Sequence, residues 1–140
     1  LEALVAPPAD LPLTYTLLAP GIATAPRVCR DFVRSALNAS GLAGLADAAA
    51  LCTSELATNV HLHAKGDIRL GLAIEPTRIR VDVHDGSDAL PTPRRPSGHD
   101  THGRGLFLVT ALSDVCGVAP DSDGNGKGVW FELNVGSPEG

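Results

Sequence analysis

Ser54-Glu55-Leu56-Ala57-Thr58-Asn59-Val60-His61-Leu62-His63-Ala64 has the period of a helix, with polar residues where that period asks for apolar ones. At about 100° per residue, Leu45, Ala48, Ala49, Cys52 and Leu56 make the buried stripe of a helix running from about Leu45 or Asp47 to His63. Asp47 is placed to cap its N-terminus. Glu55, Asn59 and His63 recur at every fourth residue and fall on the same stripe. A carboxylate on a core face is costly unless it is paired or hydrated in a cavity. Glu55 is therefore either a structural ion-pair partner at the edge of the stripe or a working group lining a cavity.

Upstream, Leu13, Tyr15 and Leu17 alternate in a strand that ends at Pro20-Gly21. From Pro26 a first helix begins, with Val28, Phe32, Val33, Ala36 and Leu37 on its apolar face. Downstream, Ile68, Leu70, Leu72 and Ile74 alternate, and then Ile79, Val81 and Val83, with Pro76-Thr77 between the two runs. That pattern reads as an antiparallel hairpin with Arg78, Arg80, Asp82 and His84 on its other face. A third helix is expected from Gly105, with Leu108, Ala111, Leu112 and Val115 on one face. After a Gly-rich polar turn at residues 121–128, Val129, Phe131, Leu133 and Val135 alternate in a last strand. The expected fold is an α/β (α+β) two-layer sandwich: helices on one face of a mostly antiparallel, mixed sheet, in a single domain spanning 1–140.

Two further features sit where function concentrates. Asp85 keeps the parity of Ile79, Val81 and Val83, so its carboxylate belongs to the buried side of the strand end, and Gly86 after it permits close approach of a ligand. Asp-Gly is also a common turn starter. Gly103-Arg104-Gly105 stands at the start of the third helix, where backbone N–H groups and the helix dipole favour an anion. By itself such a Gly-x-Gly is weak evidence and is usually just a helix entry. Between the two lies the Pro-rich stretch 86–102, long for a compact domain and of the length of a lid. Jointly, a carboxylate and an amide on one helix face, an Asp able to accept a bond from an exocyclic amine, and a phosphate-binding helix start specify a Mg-nucleotide pocket.

Composition narrows the classes. The 140 residues carry 11 Lys and Arg against 16 Asp and Glu, a net charge of −5 that lacks the basic footprint of a nucleic-acid binder. Aromatics are 4 % and Met is absent, so the core must rest on Leu, Val, Ile and Ala. Cys29, Cys52 and Cys116 are too scattered for a disulfide framework or a zinc site and read as buried thiols. His61 and His63 cannot share a helix face and, with His99 and His102, read as solvated. The stretch from Leu1 to Pro12 lacks a basic segment and carries Pro7, Pro8 and Pro12, unlike a signal or transit peptide, and no run reaches the ~18 apolar residues of a membrane span. A soluble, cytoplasmic protein is expected.

The order of these motifs resembles a known superfamily. Ser54 to Ala64 resembles the N box of GHKL (Bergerat-fold) ATP-binding domains, and Val83-His84-Asp85-Gly86-Ser87 with Pro91 resembles the G1 box. Gly103-Arg104-Gly105-Leu106, followed by Leu108-Val109, resembles the G2 box, and Gly126-Lys127-Gly128-Val129-Trp130-Phe131 the closing strand. Within the superfamily the chain is most similar to the stand-alone anti-sigma-factor serine/threonine kinases. The resemblance implies ATP and Mg²⁺ as cofactors, Glu55 as the catalytic general base and Asn59 as the Mg²⁺ ligand. It further implies nucleotide contacts from Asn59, His63, Asp85, Gly86, Gly103, Arg104, Gly105 and Leu106, with residues 86–102 as the ATP lid. The implied reaction moves the γ-phosphoryl of ATP to a Ser or Thr of an anti-anti-sigma (STAS-type) partner. The implied partners are that protein, a sigma factor held by sequestration, and a second copy in a homodimer, with no direct nucleic acid and no membrane. Two positions depart from the pattern: Gly128 where a Thr or Ser is usual beside the adenine Asp, and Val60 where Ala is usual. They keep open an alternative, a non-catalytic or nucleotide-sensing partner-binding module.

Overall fold

The computed structural model describes residues 11–63, 66–85, 109–120 and 127–136. Their elements are β1 (Leu13–Ala19), α1 (Ala25–Ala39), α2 (Ala43–His63), β2 (Ile68–Ile74), β3 (Arg78–Asp85), β4 (Val115–Pro120) and β5 (Lys127–Asn134). The strands form one sheet in the order β1-β2-β3-β5-β4, and every pairing between them is antiparallel. Both helices lie on one face, giving the two-layer sandwich that the sequence leads one to expect.

The junction between the helices shows how local chemistry sets the layer. Pro26 occupies the first turn of α1, where its missing N–H leaves no bond unmade. At the other end Gly41 takes φ 78°, the left-handed conformation that costs a glycine nothing. Its N–H donates to Asn38 O at 3.2 Å, and Leu42 N–H donates to Leu37 O at 2.8 Å. That pair of bonds is a Schellman stop, completed by apolar packing of Leu37 and Leu42 into the core. The stop comes so late that α2 starts at once, at Ala43. Asp47 therefore lies inside α2 rather than at its cap, and its carboxylate accepts a bond from Arg34 of α1 across the helix pair.

Strand parity follows the sequence reading. Ile68, Leu70, Leu72 and Ile74 of β2, Ile79, Val81 and Val83 of β3, and Phe131 and Leu133 of β5 are buried under the helices. Ala49, Cys52, Leu56, Cys29, Val33 and Leu37 meet them from above. The core is thus aliphatic, with Phe131 its one fully buried ring among the described residues. Val28, expected on the buried face of α1, is 48 % exposed, because it lies on the flank rather than the centre of that face. Of the three thiols expected to be buried, Cys29 and Cys52 are fully so, whereas Cys116 is only partly covered; all three are free.

Downstream of β3 the reading needs correction. Residues 109–112 are helical, but Val109 is the buried member while Leu112 is exposed, and Val115 opens strand β4. Sequence reading missed β4 and so counted four strands where the sheet has five. Asp114 fixes the helix-to-strand change: its N–H donates to Glu132 O at 2.9 Å and its carboxylate accepts the Asn134 N–H at 2.6 Å.

The opposite face of the sheet carries polar side chains lying flat over glycines. A Cβ on Gly71 would sit 3.0 Å from the Asp82 carboxylate, and one on Gly117 2.9 Å from the Trp130 ring. Glu132, only 8 % exposed, accepts from Arg78 and Arg80, and Arg80 stacks 4.1 Å from the Trp130 centroid. The closest approach is at Gly128, opposite His84 in the register, where a Cβ would lie 2.2 Å from the imidazole. Gly128→Ala should therefore destabilise the fold by about 1–3 kcal/mol, the usual cost of overpacking. Chemical unfolding of Gly128→Ala with and without His84→Ala checks this, since removing the ring should restore most of the loss.

Candidate functional site

Helix α2 packs against β3 and β5, and so carries its polar stripe over the middle of the sheet. Leu56 and Cys52 anchor it there, at 1 % and 0 % exposure. Glu55 and Asn59, four residues apart and one turn along, are both half-buried, at the rim of that contact rather than in the core. The helix ends at His63 and the chain enters β2 at Ile68, so the C-terminal turns of α2 lie at the end of the sheet where β2 begins.

Asp85 is at that same end. It is the last residue of β3, pairs with Ile68, and shares the face of Val83, Val81 and Ile79. Parity thus gives it the helix side of the sheet, half-buried, as the sequence pattern requires. Asn59, one turn before the end of α2, and Asp85 thus belong to the same end of the layer, with Glu55 a further turn back along the helix. His84, the neighbour of Asp85, goes to the other face, where its Nε2 is 3.1 Å from Asp82 Oδ1.

Asn59 supplies the chemical pointer. Its Oδ1 is buried and has no hydrogen-bond partner among the described residues. A buried acceptor left unmade costs on the order of 1–3 kcal/mol, and such an atom in a native fold calls for an explanation. An amide oxygen is a hard donor, suited to Mg²⁺, so the residues present fit that ion. His61, expected to be solvated, is instead half-buried with Nδ1 also unpaired among the described residues.

The surroundings of Glu55 contain one feature that sequence reading did not foresee. Cys52, one turn earlier, has its thiol pushed up to about 11, chiefly by burial, with the negative charges available to Cys116 and Glu55 adding to it. The element that brings Cys116 there is the missed strand β4, whose Cys116 Sγ also lies 3.6 Å from Thr110 Oγ1.

The two departures from the family pattern take on structural roles. Gly128 pairs with His84, so it is on the face opposite Asp85; the β5 position opposite Val83, on the face of Asp85, is Val129. The expectation that Gly128 stands beside the adenine Asp is thereby corrected. Val60 packs against the hydrophobic core. Gly86, Gly103, Arg104, Gly105, Leu106, the stretch 86–102 and the side chain of His63 lie outside the described residues.

A search of curated proteins returns no match. The family model for the histidine kinase-like ATPase domain matches residues 21–133, from the end of β1 through β5, and includes Glu55, Asn59 and Asp85. With the match covering most of its length and the sheet and helices arranged as that fold requires, the chain belongs to the histidine kinase-like ATPase domain family, a GHKL-type ATP-binding, kinase-like domain.

Proposed function

We propose that the protein is an anti-sigma-factor-type serine/threonine kinase, which binds Mg-ATP and transfers its γ-phosphoryl to a Ser or Thr of an anti-anti-sigma partner. In this reading it controls transcription by sequestering a sigma factor. The observation that supports the catalytic part is the buried Asn59 Oδ1, without a hydrogen-bond partner among the described residues, on the helix that also carries Glu55 and at the end of the layer where Asp85 closes β3.

The roles follow from the chemistry of each group. Asp85 accepts a hydrogen bond from the exocyclic amine of adenine and so orients the base. Asn59 Oδ1 would hold Mg²⁺, whose charge would offset that of the phosphates. Glu55 takes the proton of the attacking hydroxyl as its oxygen bonds to the γ-phosphorus; the bond to the β,γ-bridging oxygen breaks and ADP departs. Such transfer asks mainly for position and charge, which suits a site with few groups. The alternative, a non-catalytic partner-binding module, drew on Gly128 and Val60. Gly128 is on the far face of the sheet and Val60 serves the core, but the position on the face of Asp85 is Val129, which likewise offers no hydroxyl, so the missing Thr or Ser still supports that alternative.

Calorimetric titration tests the nucleotide half. Mg-ATP and Mg-ADP should both bind, and Asp85→Asn, which keeps the shape but replaces one carboxylate oxygen with an amide NH₂, should weaken both by about 10–100-fold, the worth of a charge-assisted hydrogen bond. Undiminished binding by Asp85→Asn would remove Asp85 from adenine recognition.

A further inference from the structure

Lys127 belongs to the stretch 121–128 that reads along the sequence as a polar turn, yet it is the first residue of β5. On one side it pairs with Pro120 of β4. On the other, β5 runs against β3 in a register that opposes Gly128 to His84, and one residue further along that register Lys127 comes opposite Asp85. Asp85 is paired in turn with Ile68 of β2. The two charged residues are thus neighbours in one row across the end of the sheet.

The rest of that face has no such row. The other β3–β5 pairs on the helix side are Val83 with Val129, Val81 with Phe131 and Ile79 with Leu133, apolar in every case. Lys127 keeps the parity of Val129, Phe131 and Leu133, so its position falls to the helix side, as that of Asp85 does. Directly opposed residues of an antiparallel pair have Cβ atoms about 4.5–5.5 Å apart, close enough for both to serve one small group. Charges at the end of an otherwise apolar face are costly unless they are paired or hold a ligand, and departures of this kind concentrate at working sites. Of the three β5 residues 127–129, only Lys127 has a hydrogen-bond donor in its side chain.

We infer, building on the nucleotide-binding half of the proposed function, that Lys127 is the second base-reading residue of the site, donating to the ring acceptor beside the amine that Asp85 binds. Adenine presents an amine donor at position 6 and the acceptor N1 next to it. A carboxylate only accepts and an ammonium only donates, so Asp85 and Lys127 side by side match that order. Guanine reverses it. In the same orientation its O6 would meet the carboxylate and its N1–H the ammonium, leaving both protein groups mispaired, which is the strongest ground on which a polar site rejects an analogue. Lys127 thereby supplies the donor that a Thr or Ser on β5 would otherwise help to provide.

Calorimetric titration of the full chain with Mg-ATP, adenosine and the magnesium complex of 1-deaza-ATP tests this. The 1-deaza ring has C–H in place of N1 and keeps the 6-amine for Asp85. The wild type should bind ATP about tenfold tighter than 1-deaza-ATP, the worth of one hydrogen bond to a charged group. Lys127→Met, which removes the donor and keeps the bulk, should bind the two alike at the weaker level, and should lose the same factor for adenosine. Equal losses for ATP and 1-deaza-ATP in Lys127→Met would make Lys127 a charge partner of Asp85 alone. A loss for ATP without one for adenosine would make it a phosphate contact. Either result overturns the proposal, as does unchanged ATP binding by Lys127→Met. A wild type that does not distinguish ATP from 1-deaza-ATP overturns it without any variant. A wild type that binds no adenine nucleotide would overturn the nucleotide reading itself, whereas the other outcomes remove only Lys127 from it.

Discussion

Glu55→Gln is expected to leave Mg-ATP binding nearly intact while slowing phosphoryl transfer by about 10²–10⁴-fold, the usual contribution of a positioned general base. The substitution preserves the length of the side chain and its place at the rim of the α2 contact, where Glu55 is half-buried. It removes only the ability to accept the hydroxyl proton. The readout is ADP release from saturating Mg-ATP, beside calorimetric affinity for the same nucleotide. A fall in rate with affinity held separates a catalytic carboxylate from a structural one. If Glu55 were instead an ion-pair partner holding the stripe's edge, affinity and melting temperature would fall together with the rate. Asp85→Asn gives the converse pattern, with weaker binding, so the two variants divide the site into a chemical end and a recognition end.

Most of that division can be read along the chain because both elements have a strong period. Ile79, Val81 and Val83 alternate so regularly that the side of Asp85 follows by counting, and its pairing with fully buried Ile68 agrees. The same count, applied from Val129, Phe131 and Leu133, puts Gly128 on the opposite face. The signal was present, and following the motif order instead of strand parity missed it. Strand β4 is a different case. Val115, Gly117 and Ala119 alternate with Cys116 and Val118, so neither set is polar and a period of two leaves no contrast to detect. Its identity as a strand comes from pairing with β5, which is tertiary information. Asp47 fails for a related reason: it is a good capping residue, but the Schellman stop at Gly41 and Leu42 had already fixed where α2 begins. Asn59 could be placed on its stripe by spacing, whereas the lack of a partner for its oxygen among the described residues is visible only once the layer is assembled.

Stability should fall steeply in alkali, and the fall should report on the site. Burial raises the Cys29 thiol from 9.0 to about 11, and Cys52 likewise from 9.0 to about 11. Below pH 9 both thiols are protonated in the folded and the unfolded chain, and stability does not depend on them. Between pH 9 and about 11 the unfolded chain ionises while the folded chain does not, so unfolding gains free energy there. The slope is about 1.4 kcal/mol per pH unit for each thiol, on the order of 3 kcal/mol per thiol over the window. Urea unfolding at stepped pH measures it, and Cys29→Ala should halve the slope by removing one of the two groups. Glu55→Gln then offers an independent check on where Glu55 lies. Its charge is the smallest of the three causes that raise Cys52, behind burial and Cys116. Neutralising it should move the Cys52 titration slightly toward 9, seen as earlier thiolate absorbance in the folded protein, and leave Cys29 where it was. A Cys52 titration identical in wild type and Glu55→Gln would mean that the carboxylate points away from the Cys52 thiol.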